Sequence, residues 1–378
     1  MANQSDFLNG YRTLSNCQFD DSQQSAIAKQ IVDEMKWTSI MNDEASVMEA
    51  SGLFEHKAFR DNELDNGAEF VAYEEGFARS DFTHNEEFSV QMGRIVESKT
   101  YRGNQTRYDK EAEAHRLARD LKKVADAINR KDARALVYGG VEDMKSYNGL
   151  ASFTDTTYDI TEVYRAIEHD KLPFKDANSC ITIDATQFDY DNAVNPVNGF
   201  AGSIFAVVWG SDYVSKLYPH ADSVSYGINM NVHLGEKYEY TDEITGVTRH
   251  GFEDIYDFEK FTGLWVGNRW GLIRIANINC NPAQTIKEWE AQLKRVEEAT
   301  SHALRLFDHA GLSGRANWYS NGTLIQKFKQ LRADKQVYVA GVSAQGQPMN
   351  MGMQTPFMLL DSVPLKHELT MTQFERLV

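Results

Sequence analysis

The apolar positions along the chain follow two different periods, and the change between them divides the sequence. In "DDSQQSAIAKQIVDEMKWTSIM", Ile27, Ile31, Met35 and Ile40 recur at roughly helical spacing behind an Asp-Asp-Ser start. This predicts a short capped helix on a loosely attached arm. From residue 51 the pattern alters. Val90, Met92 and Val96 alternate in "EEFSVQMGRIVESKTYRG", as in extended strands, while Glu, Arg and Lys crowd the segment and large aliphatics are sparse. A two-stranded ribbon of that composition cannot bury a core of its own, so it needs another surface to lie on.

The helical period then returns at its clearest. Leu117, Leu121, Val124 and Ile128 form one stripe, widened by Ala114, Ala118 and Ala125. Glu111, Arg119, Lys122, Lys123 and Arg130 take the other faces. A rod from Arg107 to Asp132, about 39 Å long, is expected, with Gly139 and Gly140 supplying the turn after it.

Beyond it, "CITIDAT", "SIFAVVW", "GLIRIANI" and "QVYVAGV" are β-branched or aromatic runs bounded by turn residues, hence strands. A second helix is expected from Thr285, whose spacing to Glu288 makes a capping box. Its stripe is Ile286, Trp289, Leu293, Val296, Ala303 and Phe307, and Gly311 stops it. The class is α+β.

Composition narrows the function. The 378 residues are enough for one large or two intertwined domains. No run approaches a membrane span, and the opening residues do not read as a signal peptide. Cys17, Cys180 and Cys280 are far apart, which fits a reducing compartment and small buried hydrophobes. A net charge of −16 argues against a reader of duplex DNA, which needs a concentrated basic face. It still suits a protein that encloses nucleic acid without adhering to it.

Candidate chemistry is sparse. Phosphate loops, dinucleotide fingerprints, HExxH and GxSxG are all missing from the sequence. His302 and His309 lie one heptad apart beside Asp308, which reads better as a solvated helix face than as a metal site. Asp184, Asp189 and Asp191 follow a strand, where Mg²⁺ or acid–base carboxylates can sit, although they read better as a polar turn closing that strand. The two glycosylation-like triplets, at 104–106 and 321–323, are discounted because no route to secretion is read. No catalytic, cofactor or metal residue is assigned.

One block carries a resemblance. From Gly202 to Ile278, Trp209-Gly210 ends a strand, Tyr218-Pro219 follows, and then come a turn-rich stretch, Gly263-Leu264, Arg269 and Arg274-Ile275-Ala276-Asn277-Ile278. Together with the long helix and "YNGLASF", this order resembles the major capsid proteins of short-tailed, double-stranded-DNA bacteriophages. "YPHADS" departs from it, since the family usually places a Gly soon after Tyr-Pro. "TPFMLLDSVPLKHELTMT" only approximates the family's closing strand pair.

The resemblance implies the Hong Kong 97-type capsid fold. Residues 1–50 would be the N-terminal arm and 51–106 the extended β-ribbon loop. The spine helix and the start of the peripheral domain would fill 107–150. Residues 151–378 would hold the axial domain interleaved with the remaining peripheral strands. It further implies a structural, non-enzymatic shell subunit with no cofactor and no membrane contact, building hexamers and pentamers around double-stranded DNA. Scaffolding, portal and decoration proteins would be its other partners, in a virion capsid assembled in the host cytoplasm. Under that reading Glu69, Glu74, Arg79, Glu87, Arg94, Lys99 and Arg102 contact neighbouring subunits, no covalent cross-link is expected, and Trp209, Gly210, Tyr218, Pro219, Arg274 and Asn277 are structural anchors. The alternatives are an encapsulin-type compartment, which shares the fold, and a carboxylate hydrolase using Asp184 or Asp189.

Overall fold

The computed structural model describes residues 39–52, 54–61, 85–102, 110–169, 171–176, 178–219, 227–241, 248–333, 358–359 and 363–378. The helix expected around Ile27 to Met35, the strand "QVYVAGV", Cys17, Glu69, Glu74 and Arg79 lie outside these residues. Two compact units emerge, each assembled from separate stretches of chain: Met1–Lys57, Ser89–Gly149 and Lys216–Trp265 in the first, Ala58–Phe88, Leu150–Ser215 and Val266–Val378 in the second.

The first unit is a helix packed on a sheet. It contains the short helix α1 (Ile40–Glu44), capped by the Ser39 hydroxyl, and strand β1 (Val47–Glu49). Two ribbon strands follow, β2 (Glu55–Asp61) and β3 (Asn85–Gln91), which pair as a two-stranded sheet. Next come β4 (Gly93–Arg102) and the long helix α2 (Lys110–Tyr138). α2 reaches Tyr138, well past the expected stop at Asp132, because Ala133, Ala135, Leu136, Val137 and Tyr138 are all buried helix-compatible residues. Its 29 residues make a rod of about 43 Å. Gly139 ends it, where a Cβ would sit 2.2 Å from the Tyr147 carbonyl, and Gly140 turns the chain at φ +76.

The stretch expected to be turn-rich is corrected here. Much of it forms two long strands, β9 (Ile228–Thr241) and β10 (Thr248–Val266), paired antiparallel from Thr248 opposite Thr241 to Lys260 opposite Ile228. β10 also pairs antiparallel with β4, Glu253 opposite Arg102 through Thr262 opposite Gly93. The segment read as one ribbon strand therefore splits at Met92: β3 pairs with β2, and β4 joins β10. Burial changes phase at the same point. Phe88 and Val90 face inward in β3, whereas Gly93, Ile95 and Glu97 are the less exposed residues of β4 and Val96 is exposed. With two successive residues on the inner side at Met92 and Gly93, the side chains beyond swap faces. The core under this sheet is Val124, Ala125 and Ile128 of α2 against Ile228 and Phe258, with Ile95, Met230 and Tyr256 at its margin. Strand β8 (Val214–Tyr218) carries β1 in parallel, Val47 opposite Lys216.

The second unit is built on a seven-stranded mixed sheet. Its strands are β5 (Thr157–Tyr158), β6 (Ile181–Asp184), β7 (Ala201–Val207), β11 (Leu272–Asn279), β12 (Asn317–Ser320), β13 (Met358–Leu359) and β14 (Val363–His367), ordered β13-β14-β12-β7-β11-β6-β5. Every residue of β7 and β11 is buried, as in a sheet covered on both faces. The helices are α3 (Ile160–Glu168), α4 (Ile286–His309) and α5 (Gly322–Ala333). In α4 the capping box is present in both directions, Thr285 N–H donating to Glu288 Oε2 at 2.6 Å and Glu288 N–H to Thr285 Oγ1 at 3.4 Å. Trp289, Leu293, Val296, Ala303 and Phe307 line the core, joined by Ala299 and Leu306. Ile286 is the exception. It is 68% exposed. Gly311 adopts φ +69, as its place behind the helix requires.

Candidate functional site: two buried charge clusters and a charged outer strand

The chain's most unusual side chains are its buried ions. In the first unit Asp132, fully buried on α2, accepts at one carboxylate oxygen from two ammonium groups, Lys216 Nζ of β8 at 2.6 Å and Lys260 Nζ of β10 at 2.8 Å. Its other oxygen accepts from the Tyr147 hydroxyl at 3.0 Å. Neutral amides complete the shell: Lys216 donates to Asn42 Oδ1 of α1 at 2.5 Å and Lys260 to Asn129 Oδ1 at 2.9 Å. Burial alone would raise the Asp132 carboxyl, yet the charges and hydrogen bonds of the two lysines outweigh it and hold the group well below the usual carboxylate range. Burial also pulls Lys216 down to about 8, against the attraction of Asp132 and with the help of the Lys260 charge. Tyr147 is pushed far above an ordinary phenol, first by burial and then by the Asp132 charge.

The second unit has its own cluster. Arg274 of β11 spreads its guanidinium over three elements: Nε donates to Ser203 Oγ at 2.9 Å, Nη1 to the Thr154 carbonyl at 3.1 Å and Nη2 to Glu375 Oε2 at 2.8 Å. Ser203 also donates to Glu375, and the Phe205 ring lies beneath the guanidinium at 5.3 Å. Three residues on, Asn277 takes φ +58 where the β7–β11 register shifts, and its amide holds Val378. Both anchors named from the sequence thus tie β11 to residues near position 378.

The other residues named from the sequence have defined partners or positions too. The Trp209 indole donates to the Tyr319 hydroxyl at 2.8 Å, and Gly210 N–H bonds the Val214 carbonyl at 3.0 Å, closing a tight turn. Tyr218 ends β8 opposite Glu49, followed by the buried Pro219.

Of the three carboxylates at and after the end of β6, Asp184 serves the fold, whereas Asp189 and Asp191 are exposed. Asp184 Oδ1 accepts from Thr186 N–H and from Thr186 Oγ1, both at 2.8 Å, and so caps a single 3₁₀ turn. Asp189 is fully exposed, 3.9 Å from Arg295. His302 stacks on Phe188 and meets the Tyr164 hydroxyl at 2.9 Å, while His309 leans on Trp270, so the two histidines pack separately. Among the described residues no group of three or more His, Cys, Asp or Glu side chains could hold a metal ion. Cys280, buried and pushed up to about 12 mainly by desolvation, is an unreactive thiol.

Of the residues suggested as subunit contacts, Arg94 on β4 binds Glu259 of its own chain at 2.8 Å and Lys99 binds Glu97 at 2.7 Å. Glu87 is exposed on β3, and the side chain of Arg102 lies outside the described residues. Sequence reading missed the Asp132 cluster because nothing in the pattern marks a lysine as buried.

No family model and no curated protein matches the chain. Solved structures do. A chain of the near-atomic structure of bacteriophage Epsilon15 superimposes with a TM-score of 0.53 at 15% identity, over 89% of this chain and 88% of that one. The capsid of bacteriophage JBD30 gives 0.41 at 10% identity over 97% and 98%, and an encapsulin complex from Synechococcus elongatus gives 0.33 at 10% identity over 65% and 89%. The Epsilon15 likeness spans nearly the whole of both chains and assigns the fold. This chain has the Hong Kong 97-type capsid fold.

Proposed function

We propose that the chain is the major capsid protein of a tailed, double-stranded-DNA bacteriophage, a non-enzymatic subunit that assembles into the hexamers and pentamers of an icosahedral head. The observation that carries this reading is the fold match to the Epsilon15 chain along nearly its full length. The side-chain chemistry supports it. Ionisable groups held out of water tie elements together, as with Asp132 and Arg274, and Asp184 at the end of β6 caps a turn. Nothing among the described residues favours the encapsulin or hydrolase reading.

In this role we take the domain limits expected from the sequence as proposals: an arm over 1–50, a ribbon loop over 51–106, the spine helix and start of the peripheral domain over 107–150, and axial plus remaining peripheral strands over 151–378. Glu69, Glu74, Arg79, Glu87, Arg94, Lys99 and Arg102 would reach neighbouring subunits. Each exposed ion pair contributes only about 0–1 kcal/mol, but a shell repeats it hundreds of times. The net charge of −16 limits adhesion to packaged phosphates, so DNA would be enclosed without sequence-specific binding. Scaffolding, portal and decoration proteins would be further partners, the host cytoplasm the place of assembly and the virion capsid the destination.

Negative-stain electron microscopy of the purified protein, alone and with its candidate scaffolding protein, tests the reading. Closed shells, tubes or hexameric rings are the expected result. A monodisperse particle of about 43 kDa at every concentration would overturn it.

A further inference from the structure

We propose that Lys216 is a proton-operated clasp on the α1–β1 segment: with its proton it favours release of that segment, and without it the segment stays closed. The inference does not depend on the capsid reading.

Charge arithmetic at Asp132 is the starting point. Two ammonium groups share one carboxylate, and the side chains of Lys216, Lys260 and Asp132 are 9%, 4% and 0% exposed. The other neighbours on α1, on α2 and after α2 are the amides of Asn42 and Asn129 and the hydroxyl of Tyr147, all uncharged. The acids of α1 itself, Asp43 and Glu44, occupy exposed and half-buried positions. The closed cluster therefore holds one positive charge out of water without a counter-ion, an unfavourable state whenever both lysines are protonated.

The α1–β1 segment is what covers Lys216. Asn42 caps its ammonium, Ser46 accepts its backbone N–H at 2.8 Å, and Val47 lies opposite it in the strand pair. This cover is a weak one. α1 has five residues, and the segment buries only Met41, Ala45 and Ala50 as apolar groups. Lifting it admits water to the ammonium.

The sign of the effect follows. Closed, Lys216 holds its proton with an affinity near 8; opened to water it returns towards 10.5. Opening therefore takes up a proton. It is promoted in full below about pH 8, progressively less up to 10.5, and not at all above that. Tyr147 is pushed the other way and stays protonated through this window, and Asp132 stays ionised.

The test is amide hydrogen exchange of the full-length protein between pH 7 and 10, corrected for intrinsic rates. It reads Ala45, Ala50 and Lys216, whose N–H groups bond Met41, Tyr218 and Ser46. Protection at these three amides should rise on the order of 100-fold across the window, while amides in α4 do not follow. Lys216→Met, neutral at every pH, should be protected already at pH 7 and lose the pH dependence. Flat protection in the wild-type protein, a parallel rise in α4, or an undiminished pH dependence in Lys216→Met would each overturn the clasp. Should that variant fail to fold, the wild-type series alone decides.

Discussion

Asn277 grips Val378 with both ends of its side-chain amide: Nδ2 donates to the Val378 carbonyl at 3.2 Å, and Oδ1 accepts the Val378 N–H at 3.1 Å. The residue can do so because a register shift in β11 puts it in the left-handed region at φ +58. Asn277→Ala should lose both bonds and add backbone strain, lowering stability by about 2–3 kcal/mol. Asn277→Gly forfeits the same bonds without the strain, so its loss should be smaller. Urea unfolding followed by tryptophan fluorescence ranks the two. Equal losses would show that the left-handed backbone adds nothing.

Glu375 has a larger effect in the same region. Replaced by Ala, it leaves the Arg274 guanidinium buried and short of its counter-charge, and the expected loss is about 3–5 kcal/mol. Glu375→Gln keeps an acceptor for Arg274 and Ser203 and should cost clearly less. Calorimetry of the two variants distinguishes the charge from the hydrogen bonds.

Acid should act through Asp132. Its folded-state carboxyl is held far below the ordinary 3.8, so the stability it supplies is complete well above that value and shrinks as pH falls through and below it. Asp132→Asn leaves two lysines without their carboxylate. It should cost about 3–5 kcal/mol at neutral pH and flatten the acid limb of the stability curve. A variant with an unchanged acid limb would mean that other carboxylates govern it.

Arg94 allows subunit contact to be separated from folding. Its pair with Glu259 is exposed, so Arg94→Glu should change monomer stability by no more than about 1 kcal/mol. If the guanidinium also reaches a neighbour, the same variant should fail to form shells or rings, and adding Glu259→Arg should not restore them. Normal particles from Arg94→Glu would remove Arg94 from the interface.

How much was readable in the sequence depends on where each residue's partner lies. The capping box of Thr285 and Glu288, the stripe from Trp289 to Phe307 and the stop at Gly311 are local, and the helix they describe is present within a residue. "SIFAVVW" and "GLIRIANI" announce themselves because β7 and β11 are buried on both faces. The β9–β10 hairpin does not, since residues such as Glu236, Lys237, Glu239 and Phe252 are exposed and leave no apolar alternation to detect. Lys216, Lys260, Arg274 and Arg295 read as surface charges until the fold supplies Asp132, Glu375 and the Phe188 carbonyl. The anchors at Arg274 and Asn277 came from resemblance, and their partners near position 378 could not be foreseen from spacing.

The change of phase at Met92 has an arithmetic consequence. Side chains alternate along a strand, so an insertion or deletion of one residue between β3 and β4 would exchange inside for outside along one of them, whereas a change of two would leave both faces intact. Unless the break at Met92 absorbs it, an odd change in length here therefore costs burial on one strand, and an even change does not.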